Sequence, residues 1–348
     1  MSDTNSDDAM AKLEYVAGED CDFTTPLDPT MDEDNTTATS TYGDAIVFNT
    51  ENYQIGNVAG WILTSSGANT VNFDWLSQDD LTDADDTYCL RLTASDQIDD
   101  QGLPATTTLV IDNKAPSAPG ELGLVSSDGG SVTLSFGATS TETHFVNYKL
   151  FYKEGVATVN EEDFQHIDAN LNDILFNSVS TTVINGLNSN TQYSFKVFAY
   201  DAYGNVSSSN QVAYITNAPP TGVFNSVAQK TDGSGIVDIS IEIYDVNLNT
   251  VNAKLEYVSG VTCDFAFPLD PTLDETGINI TADHGTPTIL NSSPYQIGSS
   301  TRIITDQGSN TINFDWSANL DIGNTVGVYC LRLTTNDGID DQTVLATT

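Results

Sequence analysis

Residues 11–33, AKLEYVAGEDCDFTTPLDPTMDE, return at 253–275 as AKLEYVSGVTCDFAFPLDPTLDE, identical at 17 of 23 positions. Later segments return as well: VNFDW at 71–75 and YCLRLT at 88–93 are answered by INFDW at 312–316 and YCLRLT at 329–334. A unit written twice in one chain marks a modular array, in which each copy folds to the same plan. With the stretch between them, the copies predict three modules in 348 residues, at 1–114, 115–217 and 218–348. About thirty-five residues, including the strand-like IVDISIEIYD, precede AKLEYV in the second copy, where the first has only MSDTNSDDAM. The counterpart of ATTTLVIDN (105–113) stops at Ala346-Thr347-Thr348. The first copy is therefore expected to lack its opening strands and the second its closing strand. Chains adding strands to one another head to tail are an alternative to simple truncation.

Alternation dominates the pattern. Val71, Phe73 and Trp75 point one way and Asn72 and Asp74 the other, while Leu13 and Tyr15 alternate with Lys12 and Glu14. That period of two belongs to half-buried strands. Clusters of Ser, Asp, Asn and Gly punctuate the strands, and only Glu161 to Leu171 hints at a helical repeat. The predicted class is all-β: three tandem β-sandwiches in an extended array, the terminal two incomplete.

Charge narrows the partners. Ten Lys plus Arg against 49 Asp plus Glu give a net charge of -39, which opposes approach to nucleic acid phosphates or anionic lipid. No apolar run approaches the roughly 18 to 20 residues of a membrane span, so no membrane insertion is expected in this segment. Residues 2–10 carry neither the basic start nor the apolar stretch of a secretion signal. With the start falling inside a module, the address of the parent protein stays open. Cysteines stand at matched places in the two copies, Cys21 with Cys89 and Cys263 with Cys330. The matched places suggest two disulfides, which persist in oxidising compartments; the alternative is four buried thiols, and zinc requires tighter ligand spacing.

In the middle module, Ser131 to Phe136 (SVTLSF), Val146 to Tyr152 (VNYKLFY) and Leu187 to Ser207 (LNSNTQYSFKVFAYDAYGNVS) resemble the strands of a fibronectin type III module. The spacing of Leu187 and Tyr193 looks like that family's tyrosine corner. Phe136 stands where the family usually has Trp, and there is no RGD. The flanking copies, through NFDW, YCLRLTASD and VIDNKAPSAP, resemble the immunoglobulin-like repeats of very large bacterial cell-surface and adhesin-like proteins. In YCLRL the core side is expected to be Tyr88, Leu90 and Leu92, so Cys89 faces outward, and Cys21 is expected on an excursion folded across that outer face.

Chemistry has little to start from. His144, His166 and His284 are the only histidines, and no HExxH, GxSxG or phosphate-binding glycine loop occurs. No enzyme activity is expected. Calcium is the sharper expectation. Asp3, Asn5, Asp7 and Asp8 precede one strand, and Asp96, Asp99 and Asp100 follow its neighbour; the second copy offers Asp245, Asn247 and Asn249 beside Asp337, Asp340 and Asp341. Loops at one end of a sandwich can converge the hard oxygen ligands that Ca²⁺ takes, although Asp and Asn also favour turns for their own hydrogen bonds. Asp3, Asn5, Asp7 and Glu14 also fit an EF-hand spacing, but the sixth place is Asp8 rather than Gly. Linkers DNKAPSAP (112–119) and TNAPPT (216–221) are stiffened by proline.

These features point to a non-catalytic stalk or spacer of a large secreted or cell-surface adhesin-like protein, partnered by neighbouring repeats of its parent. One alternative is a module binding a cell-surface glycan or protein through the divergent regions 24–60 and 266–302, where Tyr42, Tyr53 and Trp61 would be exposed. Another is an accessory segment of a secreted hydrolase.

Overall fold

The computed structural model describes residues 1–34, 39–43, 45–57, 60–323 and 325–348. The chain divides into two compact units, one of Met1–Ala118, Ser140–Tyr148 and Phe198–Ser208, the other of Pro119–Thr139, Lys149–Val197 and Ser209–Thr348.

The first copy contributes β1 (Met10–Ala17), β2 (Thr39–Ser40), β3 (Val71–Asn72), β4 (Asp85–Ser95) and β5 (Ala105–Asp112). They form a sheet in the order β1-β4-β5 and a two-stranded sheet β2-β3. The middle stretch supplies β6 (Gly123–Ser127), β7 (Ser131–Ser135), β8 (Phe145–Glu154), β9 (Phe164–His166), β10 (Thr181–Asn185), β11 (Gln192–Asp201), β12 (Val206–Ser208) and β13 (Val212–Ile215). Its sheets run β10-β7-β6 and β12-β11-β8-β9, with β13 also on β11. The second copy adds β14 (Thr221–Gln229), β15 (Val237–Tyr244), β16 (Asn252–Ser259), β17 (Thr281–Ala282), β18 (Asn310–Trp316), β19 (Tyr329–Asn336) and β20 (Ala346–Thr347). Here the orders β14-β15-β18-β17 and β16-β19-β20 reproduce the four-plus-three strand plan of a constant-type immunoglobulin sandwich.

The copies share register to the residue. Val16 faces Cys89 and Tyr15 faces Leu90 across β1 and β4; Val258 faces Cys330 and Tyr257 faces Leu331 across β16 and β19. The ends differ as the two texts differ. The first copy has no described counterpart of β14 and β15, and β20 pairs with β19 at two positions where β5 pairs with β4 at eight.

Strand alternation fills the interior. Ile239, Ile241 and Ile243 of β15 meet Leu255 of β16, Phe314 of β18 and Leu333 of β19 in one buried cluster. In the middle stretch, Val132, Leu134, Leu150, Ile184, Phe195 and Val197 are buried. The Asn188 backbone N–H donates to the Tyr193 hydroxyl at 3.1 Å, on the tyrosine-corner spacing. Phe136, in the place of the expected Trp, stacks on Phe176 with centroids 4.3 Å apart.

The long connections contribute more core than a surface loop would. Met31, Val47 and Ile55 are at most 1% exposed in the first copy, as Leu273 and Ile297 are at 2% and 0% in the second. Gln54 is buried with them, its side-chain amide accepting from the Leu13 N–H and donating to the Leu13 carbonyl at 3.1 and 3.2 Å. Gln296 does the same to Leu255. Each glutamine thus satisfies the backbone of a strand where the neighbouring chain is irregular. Of the rings expected outside, Tyr42 is exposed, while Tyr53 and Trp61 are half-buried. Within 24–60, residues 35–38, 44, 58 and 59 lie outside the described residues.

Candidate metal centre

Two loops of the second copy bring carboxylates together with a residue of the preceding linker. In the turn after β15, Asp245 accepts the Asn249 N–H on Oδ1 at 3.2 Å, and Leu248 takes a positive φ of 62° to let the chain fold back. After β19, Asp337 Oδ1 accepts the N–H groups of Ile339 and Asp340, both at 2.7 Å, over a Gly338 whose φ of 95° suits glycine. One oxygen of each carboxylate therefore builds its own turn, and the other is left to point elsewhere.

The second oxygen of Asp337 meets Asn217, which is 4% exposed. Asn217 Nδ2 donates to Asp337 Oδ2 at 2.7 Å and to Asp340 Oδ2 at 2.9 Å, and Asp340 Oδ2 also accepts the Gly129 N–H at 2.8 Å. Asn249 Nδ2 donates to Asn217 Oδ1 at 3.2 Å. Asp245 is fully buried, and its Oδ2 has no hydrogen-bond partner. Burial pushes the Asp245 carboxyl above its ordinary value; the N–H groups of Asn249 and Asn247 hold it back and the nearby Asp337 charge adds to the rise. No described cation forms an ion pair with these three carboxylates. Arg302, beside Gly338, donates to the carbonyls of Thr250 and Asn336 instead.

Two expected ligands turn away. Asn247 Oδ1 accepts the Ala218 N–H at 2.7 Å, and Asp341 receives the Tyr295 hydroxyl and the Asn336 amide. Burial, and then that bond, push the Tyr295 hydroxyl up to about 12. In the first copy the turns are the same. Asp3 Oδ1 accepts from the N–H groups of Asn5 and Asp7, Asp96 Oδ1 accepts from those of Ile98 and Asp99, and Asp3, Asp96 and Asp99 line one cleft. Asp3 and Asp96 are half-buried there and Asp99 is exposed. Asp8 is half-buried, and Asp100 receives the Tyr53 hydroxyl. Glu14, offered by the EF-hand spacing, is instead ion-paired to Lys12 at 3.0 Å and Arg91 at 2.7 Å inside a strand pair.

Sequence reasoning missed Asn217, because it lies in a stretch read as a stiff linker. It also missed a second group, Asp85, Asp112 and His144, the only one among the described residues whose three ligand-type atoms lie within 4.8 Å of one another. His144 Nδ1 is 3.0 Å from Asp112 Oδ2 and 3.7 Å from Asp85 Oδ1. The signal was the strand pairing, since Asp85 faces Asp112 across β4 and β5. Asp112 is fully engaged, its Oδ1 accepting the Lys114 N–H at 3.1 Å.

Both cysteine pairs are disulfides, with Cα atoms 5.3 Å apart in each. Cys89 and Cys330 are buried, at 0% and 3% exposed, and Cys21 and Cys263 are half-buried. On the same side of β4 as Cys89, Arg91 lies 4.5 Å under the Phe23 ring, and Arg332 lies 4.6 Å under Phe265. Each excursion thus lays an aromatic lid over a Glu–Arg pair whose glutamate is buried and whose arginine is half-buried.

Residues 117–214 match the description fibronectin type III domain, so the chain carries a module of that kind. No curated protein matches the chain. Among solved structures it is similar to the FN1–FN3 domains of chicken CNTN1, at 13% identity and a TM-score of 0.28, covering 100% of this chain and 91% of that one. It is also similar to the family 28 exopolygalacturonase of Yersinia enterocolitica (20% identity, TM-score 0.22, 30% of this chain and 21% of that one). A third is chitinase ChiA74 from Bacillus thuringiensis (20%, 0.23, 60% and 28%). The chain spans less than a third of the last two. No described helix is long and apolar enough to cross a membrane.

Proposed function

We propose that this chain is a non-catalytic spacer from a large secreted or cell-surface protein. Its modules run 1–114, 115–217 and 218–348, the outer two being immunoglobulin-like surface-protein repeats and their partners the neighbouring repeats. The observation that carries this reading is that both linkers are tied down by side chains. Asp112 at the end of β5 receives His144, and its carbonyl accepts the Asn205 amide at 2.9 Å. Asn217 and Ala218, after β13, are bonded to Asp337, Asp340 and Asn247. A linker held at this many points orders one module's exit against the next module's loops, which is what a spacer requires and a tethering linker does not. The two disulfides support an oxidising, extracellular setting.

Small-angle scattering of the full chain tests the reading. The expected particle is elongated and does not change with concentration; a compact particle, or a distribution of lengths as broad as a flexible tether gives, would overturn it.

A further inference from the structure

We infer that Asp85, Asp112 and His144 form a zinc site that ties β4 and β5 of the first copy to the residue ahead of β8. One ligand-type atom from each of the three lies within 4.8 Å of the other two. His144 Nδ1 is 3.0 Å from Asp112 Oδ2 and 3.7 Å from Asp85 Oδ1. Ligands bound to zinc at about 2.0–2.1 Å in a tetrahedron stand about 3.3–3.4 Å apart, and the two measured distances fall either side of that edge. A hydrogen bond to His144 accounts for Asp112 but not for Asp85. Among the described residues nothing donates a hydrogen bond to the Asp85 carboxylate, and its pairing with His144 spans 3.7 Å. Strand register also sets Asp85 directly opposite Asp112, where like charges repel. A divalent ion seated between the three atoms removes that repulsion; a neutral imidazole does not.

Neighbouring groups preorganise the ligands. Asp112, its side chain 0% exposed, keeps Oδ1 on the Lys114 N–H at 3.1 Å and turns Oδ2 to His144. His144 is fixed through its backbone, its N–H donating to Glu142 Oε1 and its carbonyl accepting the Ala202 N–H, both at 2.9 Å. The Tyr203 ring meets the imidazole edge-on, with centroids 5.2 Å apart. Contacts of this kind behind the ligands orient a metal site. Asp112 and Tyr203 line an open cleft and Asp85 is exposed, which gives an ion a way in and leaves its fourth position to water. Imidazole with two carboxylates is a donor set for zinc, whereas Ca²⁺ and Mg²⁺ take oxygen ligands. Zinc binds the Nδ1 lone pair, so a proton held there passes to solvent. The site stands on these three side chains and is independent of the spacer reading.

The test uses the full chain freed of metal with a chelator, then titrated with ZnCl2 while heat of binding, unfolding midpoint and imidazole NMR signals are followed. His144, His166 and His284 are the only histidines, so the rings can be followed one by one. Zinc is expected to bind once per chain with the highest affinity and to shift one ring, the one missing from His144→Gln. At about a hundred times its dissociation constant, it should raise an unfolding midpoint by about 10 °C. Asp85→Asn, at an exposed position, should fold like the parent and weaken zinc binding by more than about tenfold, the least that losing even a partner behind a ligand costs. His144→Gln should abolish that binding. CaCl2 or MgCl2 at equal concentration should leave the His144 ring unmoved. No zinc binding, an undiminished zinc affinity in folded Asp85→Asn, or a shift of His166 or His284 in place of His144 would overturn the site.

Discussion

At the residue scale, the repeat marks side chains that no motif predicts. Trp75 and Trp316 each donate an indole N–H at 2.6 Å to an aspartate five residues on, Asp80 and Asp321. The same carboxylates accept both the backbone N–H and the hydroxyl of Thr30 or Thr272, at 2.7 and 2.6 Å. Each aspartate therefore holds three donors, pinning the NFDW segment to the start of the long connection. Removing one charged acceptor from several part-buried donors costs more than an ordinary surface substitution. Asp321→Ala is expected to destabilise the second copy by about 3 kcal/mol, read from urea unfolding; a loss under about 1 kcal/mol would mean that water replaces the carboxylate.

At the element scale, the excursion after β16 is held twice, by Cys263–Cys330 and by Phe265 over Arg332. Closing a loop across a separation of 67 residues restricts the unfolded chain, by about 4 kcal/mol in the chain-entropy model. Replacing both cysteines by serine should lower the unfolding free energy by about that amount. If the loss is small, the aromatic lid and its ion pair already fix the excursion. The sheets were legible in the sequence, because Leu13, Tyr15, Leu90 and Leu92 alternate at the period of a strand. The core role of the long connections was not, because Met31, Val47 and Ile55 arrive singly, joined to their neighbours by isolated bridges with no regular period. Both loops of the carboxylate cluster were legible as runs of Asp and Asn. Asn217 was not, since a linker residue acquires its role only when the next module folds against it.

At the scale of the whole molecule, acid has two opposing effects. With a net charge of -39, protonation relieves repulsion among scattered surface carboxylates. Against this stand the buried glutamates. Burial pushes Glu14 up, but Arg91 and Lys12 outweigh it, so its carboxyl lies below its ordinary value of 4.5. Glu256 is lowered in the same way by Lys254 and Arg332. A lowered folded value means that the unfolded chain takes up protons first. The stabilisation is whole above 4.5 and is lost as pH falls through the folded values. Screening decides which effect wins. The screening length is about 8 Å at 0.15 M salt and about 30 Å at 0.01 M. The pairs, in contact and mostly buried, act within either length, whereas the repulsion acts at long range only in dilute salt. Acidification from pH 7 to 3 should therefore destabilise the chain at 0.15 M salt and cost less at 0.01 M, as read from urea midpoints at all four conditions. Glu14→Gln combined with Glu256→Gln should flatten the response at 0.15 M. An acid loss as large in dilute salt as in physiological salt would show that net charge has no hold on this fold.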